Sequence, residues 1–187
     1  EETMRKATND IDYKSSLRYV GNMNFDFETY INNFHKGPRK VDPYTRMARE
    51  QATFLLENLD AEDELFNYLK VFMKSRFNMS HFDPTVTYCP PGSITFPHID
   101  VYKGGRRRLG LDIPEDDNLY KIFTKFWIPM EDRKYGHILE VNGVILPAWN
   151  AGDIWTFDDN RNHYAATLGM EPRYFLAISG IHDDVWE

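Results

Sequence analysis

After residue 80 the chain is broken every few residues by glycine or proline turns, and the segments between them read as short strands. Thr85–Cys89 stops at Pro90-Pro91-Gly92, and Ser93–Asp100 follows with period-two alternation. Lys121–Ile128 and His137–Val141 are further strands, and Asn142-Gly143 is a hairpin signal whose return strand is Val144–Leu146. Ala151-Gly152 turns the chain into Asp153–Phe157, and Arg173–Ser179 is the last strand. Many short strands with tight connections predict a jelly roll or barrel, pictured here as a double-stranded β-helix.

Helical patterns precede this region. A helix is predicted from Ala61 to about Phe77, capped by Asp60, with Leu65, Phe66, Leu69, Phe72, Met73 and Phe77 on one stripe. A second is predicted over Pro43–Leu59, with the proline in its first turn. Ile11–Val20 reads as extended and Phe25–Phe34 as a short helix. No linker or repeat interrupts the 187 residues. The expectation is one domain: residues 1–80 a mainly helical N-terminal layer, residues 81–187 a jelly-roll core.

Composition narrows the function. Twenty-two Lys and Arg stand against 29 Asp and Glu, a net charge of −7, so no nucleic-acid partner is expected. The single Cys89 excludes an intrachain disulfide and a cysteine-rich metal cluster, and a reducing cytoplasm is the expected compartment. No apolar run is long enough to span a membrane. The opening Glu1-Glu2-Thr3-Met4-Arg5 carries no signal-peptide core and reads as a trimmed start.

The residues that point to chemistry are His98-x-Asp100, His163 and Arg173. Two imidazoles and a carboxylate can occupy one face of a six-coordinate Fe(II) and leave three positions open. Positions 98 and 100 share one face of an extended strand. His163 comes 63 residues after Asp100, so only a chain that folds back brings it near. Three His-x-Asp pairs occur, at His81, His98 and His182, and only His98 combines a strand with a suitable downstream His and Arg. Asp83-Pro84 reads as a turn. On spacing alone, the set reads equally as a metal site and as a partly buried His–Asp pair beside an unrelated surface histidine.

The segment from Ala151 to His163, with Phe157-Asp158-Asp159 before the histidine, resembles the distal-histidine segment of the aspartyl/asparaginyl β-hydroxylase family. Arg173-Tyr-Phe-Leu-Ala-Ile matches the arginine that opens a hydrophobic strand about ten residues later, and Arg106-Arg-Arg-Leu-Gly-Leu-Asp-Ile-Pro114 is similar to another family strand. Two departures stand out: the family's strand histidine falls at Arg108, and Glu115–Pro147 is long.

The resemblance implies a jelly-roll Fe(II)- and 2-oxoglutarate-dependent dioxygenase that hydroxylates an amino acid, free or in a peptide, using O2, with ascorbate as a stimulant. His98, Asp100 and His163 would hold iron, and Arg173 the distal carboxylate of 2-oxoglutarate. Arg108 and Ser179 are further co-substrate candidates. Arg106, Trp127 and Trp155 are substrate candidates, although aromatics in such a fold also serve as core. Trp149 belongs with the same aromatics, Asp158 and Asp159 could support His163, and His35, His137 and His182 read as surface or structural. The competing readings are a cupin-like metal-dependent hydrolase or isomerase, which needs no enclosed Arg173, and a metal-free jelly-roll binding module.

Overall fold

A computed structural model of the chain describes residues 17–34, 55–100, 109–110, 122–157 and 162–186. Its elements are, in order, β1 (Arg18–Asn22), α1 (Phe27–Phe34), β2 (Leu55–Asn58), α2 (Glu64–Phe77), β3 (His81–Cys89), β4 (Ser93–His98), β5 (Thr124–Pro129), β6 (His137–Val141), β7 (Val144–Ile145), β8 (Asp153–Thr156), β9 (His163–Thr167), β10 (Arg173–Ile181) and α3 (Asp183–Trp186). The strands form a six-stranded sheet, ordered β1-β8-β5-β10-β3-β2, and a four-stranded sheet, ordered β4-β9-β6-β7. All pairings are antiparallel, and the fold is the expected double-stranded β-helix. Among the described residues no helix is long and apolar enough to cross a membrane.

Strand alternation divides the interior in two. On β5 and β10, Phe126, Ile128, Tyr174, Leu176 and Ile178 turn to one face and bury against Phe27, Tyr30, Leu65, Leu69 and Met73 of the helices. Trp127 and Phe175 turn to the other face, where they meet Leu139, Val141 and Ala165 of the smaller sheet. Leu65, Leu69 and Met73, four residues apart on α2, are fully buried. Such side chains are each worth about 1.5–3 kcal/mol over leaving them in water.

Four sequence expectations change. First, Asp63 caps α2, its Oδ1 accepting from Leu65 N at 2.8 Å and Phe66 N at 3.2 Å. Asp60 instead closes the preceding turn on Glu62 N at 3.0 Å. Asp63 prevails because its Oδ2 also accepts from Tyr30 Oη at 2.8 Å, which fastens α1 to the helix start.

Second, the end of the helix predicted over Pro43–Leu59 is strand β2, because pairing with Thr85–Tyr88 satisfies its backbone groups and overrides a weak helical preference. Residues 43–54 lie outside the described residues. Third, Asp83-Pro84 lies within β3 rather than in a turn. Pro84 O accepts from Leu59 N and its missing N–H faces the same way, beyond the last β2 pair, Thr85–Asn58, so the bond it cannot return to Leu59 falls at the end of the ladder rather than inside it. Fourth, β4 ends at His98 after an irregularity that follows Thr95, so Asp100 lies beyond the strand. Strand β9, which carries His163, was not among the predicted strands.

The C-terminus is tied to α2 through Asp183. Its carboxylate accepts from Lys74 Nζ, from Ser80 N at 2.8 Å and from Ser80 Oγ at 2.8 Å. The Lys74 hydrogen bond, followed by that of the Ser80 backbone, holds the Asp183 carboxyl down to about 2. The folded state therefore gains from Asp183 above the ordinary carboxylate range and loses that gain as pH falls from about 4 through 2.

Two outcomes follow for urea unfolding. Asp63→Ala should cost about 1–2 kcal/mol and Asp60→Ala clearly less; equal losses would return the cap to Asp60. Asp183→Asn should flatten the fall in stability between pH 4 and pH 2, and a profile parallel to wild type there would contradict the tie.

Candidate metal centre

The pairing of β4 with β9 places His98 directly opposite His163, with their ring centroids 4.3 Å apart. Asp100 follows two residues later and turns back toward both rings. Its Oδ1 lies 3.6 Å from His98 Nε2, and its Oδ2 lies 3.5 Å from His163 Nε2. One ligand atom from each of the three residues lies within 4.8 Å of the others. The donor set is two imidazole nitrogens and one carboxylate, which suits a divalent first-row ion such as Fe(II) and leaves further positions open.

His163 is buried, its ring 4.8 Å from that of Phe157, whereas His98 lies toward solvent with 41% of its side chain exposed. The site therefore has an enclosed side and an open side. His98 Nδ1 lies 2.7 Å from the Phe96 carbonyl oxygen. A carbonyl only accepts, so Nδ1 carries the proton and Nε2 keeps its lone pair toward Asp100.

Lys125, on β5, ion-pairs with Asp100 Oδ2. Burial alone would push the Asp100 carboxyl up, but the Lys125 ammonium, His163, the Lys125 hydrogen bond and His98 together hold it below the usual carboxylate range. Lys125 was not among the sequence candidates. The signal was its phase, two residues before Trp127 and so on the same strand face.

Arg173 opens β10 and is 1% exposed. Its Nη1 donates to Ile138 O at 2.8 Å, its Nη2 contacts Cys89 Sγ at 3.4 Å, and the guanidinium lies 5.2 Å from the Phe175 ring centroid. Its Nε is buried without a partner, and no carboxylate of the described residues pairs with it. The hydroxyls of Ser93 and Thr167, opposite each other on β4 and β9, are likewise buried without hydrogen-bond partners. Neither was anticipated from the sequence.

The neighbouring His137 is structural rather than on the surface. Its Nε2–H donates to the Glu171 carbonyl at 3.2 Å. Burial, with help from the Arg173 and Lys134 charges, pushes its imidazole down, so it adds no positive charge beside Arg173. His182 is also structural, its Nδ1 2.7 Å from Phe77 O.

The remaining candidates divide. Ser179 shares the β10 face of Arg173 but stands six residues along, opposite Lys125. It therefore lies at the end of the strand beside Lys125 and Asp100, while Arg173 lies at the other. Trp127 and Trp155 are side by side in the buried inter-sheet core, and Trp149 packs edge-to-face on Trp127 at 5.1 Å. The indole Nε1 atoms of all three are buried without partners. Arg106, Arg108, Asp158, Asp159 and His35 lie outside the described residues.

No family model matches the sequence, and comparison with curated proteins gives no match. Comparison with solved structures does. A prolyl-4-hydroxylase from Pseudomonas putida superposes with a TM-score of 0.58 at 12% identity, covering 94% of this chain and 97% of its own. The non-heme monooxygenase ThoJ, solved as a nickel complex, gives a TM-score of 0.55 at 14% identity, covering 90% and 74%. At these identities the likeness is one of fold, and it extends over nearly the whole chain.

Proposed function

We propose that the protein is an Fe(II)- and 2-oxoglutarate-dependent oxygenase that hydroxylates a C–H bond of an amino acid, free or within a peptide. The observation that carries this reading is Arg173. A buried guanidinium without a carboxylate is costly, and the cost is removed by an anionic ligand that reaches into the inter-sheet space. The interior face also holds Lys125, already paired with Asp100, and Asp83, in register with Ser179 and Lys125, so among the described residues Arg173 is the cation there that a ligand's carboxylate would complete. A cupin-like hydrolase using the same three ligands gives no role to an enclosed Arg173.

His98, Asp100 and His163 would hold the iron, which when bound couples oxidative decarboxylation of 2-oxoglutarate to succinate with hydroxylation of the substrate. The chain's own residues set the stage. The Phe96 carbonyl fixes the tautomer of His98, and Phe157 shields His163 from water. Arg173 would grip the distal carboxylate through Nε and an Nη, a planar fork matched to that group. Ser93 and Thr167 offer hydroxyl donors at the same end of the sheets. The open side at His98 is the way in for the substrate. The resemblance of the Ala151–His163 segment to β-hydroxylases favours an amino-acid substrate, and the name of the P. putida prolyl-4-hydroxylase points the same way.

The direct test is succinate formation with Fe(II), ascorbate and 2-oxoglutarate, screened over amino acids and peptides; its absence throughout, together with no binding of 2-oxoglutarate, would sink the reading. Asp100→Ala should weaken Fe(II) or Mn(II) binding by at least about tenfold, since even the loss of a supporting residue costs about that much. His182→Ala should leave metal binding unchanged. Arg173→Met should raise the Kd for 2-oxoglutarate about 30-fold or more with metal affinity near normal, and Arg173→Lys should recover only part. Unaltered 2-oxoglutarate binding in Arg173→Met would remove Arg173 from the co-substrate site.

A further inference from the structure

Lys125 stands in an unusual place for a lysine. Its side chain is only 14% exposed, its ammonium lies 5.6 Å from the centre of the Phe157 ring, and its carboxylate partner is a candidate metal ligand. Register holds it there: Lys125 pairs with Ser179 of β10, and its strand neighbour Trp127 is locked into the inter-sheet core. A lysine so enclosed is part of the site rather than a solvated surface charge.

Asp100 presents Oδ1 to His98 and Oδ2 to His163, and Lys125 takes Oδ2. A carboxylate can give a divalent ion one oxygen or both. In six-coordinate geometry the first choice leaves three positions beside two imidazoles, and the second leaves two. A chelating 2-oxo acid takes two positions, and the second reactant needs another.

We propose that Lys125 is a positioning residue that holds Oδ2 of Asp100, limits the carboxylate to one bond with the ion, and so keeps three coordination positions open. The proposal rests on the metal reading given above. The ammonium holds Oδ2 in the ion-free site, so the restriction is in place before an ion enters. It works against metal affinity, because a cation beside the dication repels it and competes for the carboxylate.

The test uses Mn(II) alone, added to metal-free wild type, Lys125→Met and Lys125→Arg. Two quantities are read: the Mn(II) dissociation constant, and the relaxation of water protons per bound Mn(II), which scales with the number of waters on the ion. In Lys125→Met the relaxation should fall by about one third, from three waters to two, while Mn(II) binds about tenfold more tightly. Lys125→Arg should keep the wild-type relaxation and an affinity within about twofold, since a guanidinium also holds Oδ2.

A lysine that merely braces the fold moves the numbers the other way. Weaker Mn(II) binding in Lys125→Met with a lower thermal midpoint would overturn the proposal, as would unchanged relaxation. If wild type itself fails to bind Mn(II), the metal reading falls and the proposal with it. Wild-type binding with a Lys125→Met variant indistinguishable from it overturns the proposal alone.

Discussion

His98 and His163 can share one ion only because β4 and β9 pair in a single register, with the two histidines directly opposite. A slip of one residue would turn one ring to the far face of the sheet and dissolve the site. The register is fastened away from the candidate metal site. Gly92 N donates to Thr167 O at 2.7 Å, Ser93 N closes the turn on Pro90 O, and β6 pairs with the other edge of β9 from His137 to Val141. The Pro90-Pro91-Gly92 turn thus sets a geometry that is used several residues along the strand.

The second constraint is electrostatic. Strand alternation sends the apolar side chains of β5 and β10 to the helices and leaves Lys125, Trp127, Arg173 and Phe175 for the space between the sheets. One face therefore builds stability while the other collects charge. The packing of Leu65, Leu69 and Met73 supports a sheet whose opposite face holds an arginine with no carboxylate partner among the described residues. Unpaired buried charge of this kind is tolerated where a ligand completes it, and the unsatisfied hydroxyls of Ser93 and Thr167 mark the same region.

The grouping of His98, Asp100 and His163 was legible in the sequence because its parts are short-range and typed. A His-x-Asp pair on a strand, a later histidine and an arginine ten residues on survive without knowledge of the packing. Features that depend on a distant partner were less visible. Asp60 and Asp63 are both plausible caps, and only Tyr30, 33 residues away, decides between them. The Leu55–Asn58 segment reads as the end of a helix until β3 lies alongside it. Pro84 reads as a turn until β2 stops short of it. Lys125 was half legible: its phase with Trp127 puts it inside, but its purpose depends on Asp100 arriving from beyond the end of another strand.

The central claim is that the space between the sheets is built for a dicarboxylate running from the metal ligands to Arg173. It is tested most directly by comparing 2-oxoglutarate with 2-oxobutyrate, which keeps the chelating end and lacks the distal carboxylate. Both would be titrated anaerobically into the Fe(II)-loaded protein. The account predicts that 2-oxoglutarate binds at least about 30-fold more tightly, the share expected of a buried charge pair, and that the preference persists without iron at weaker affinity. Equal affinities for the two acids would contradict it.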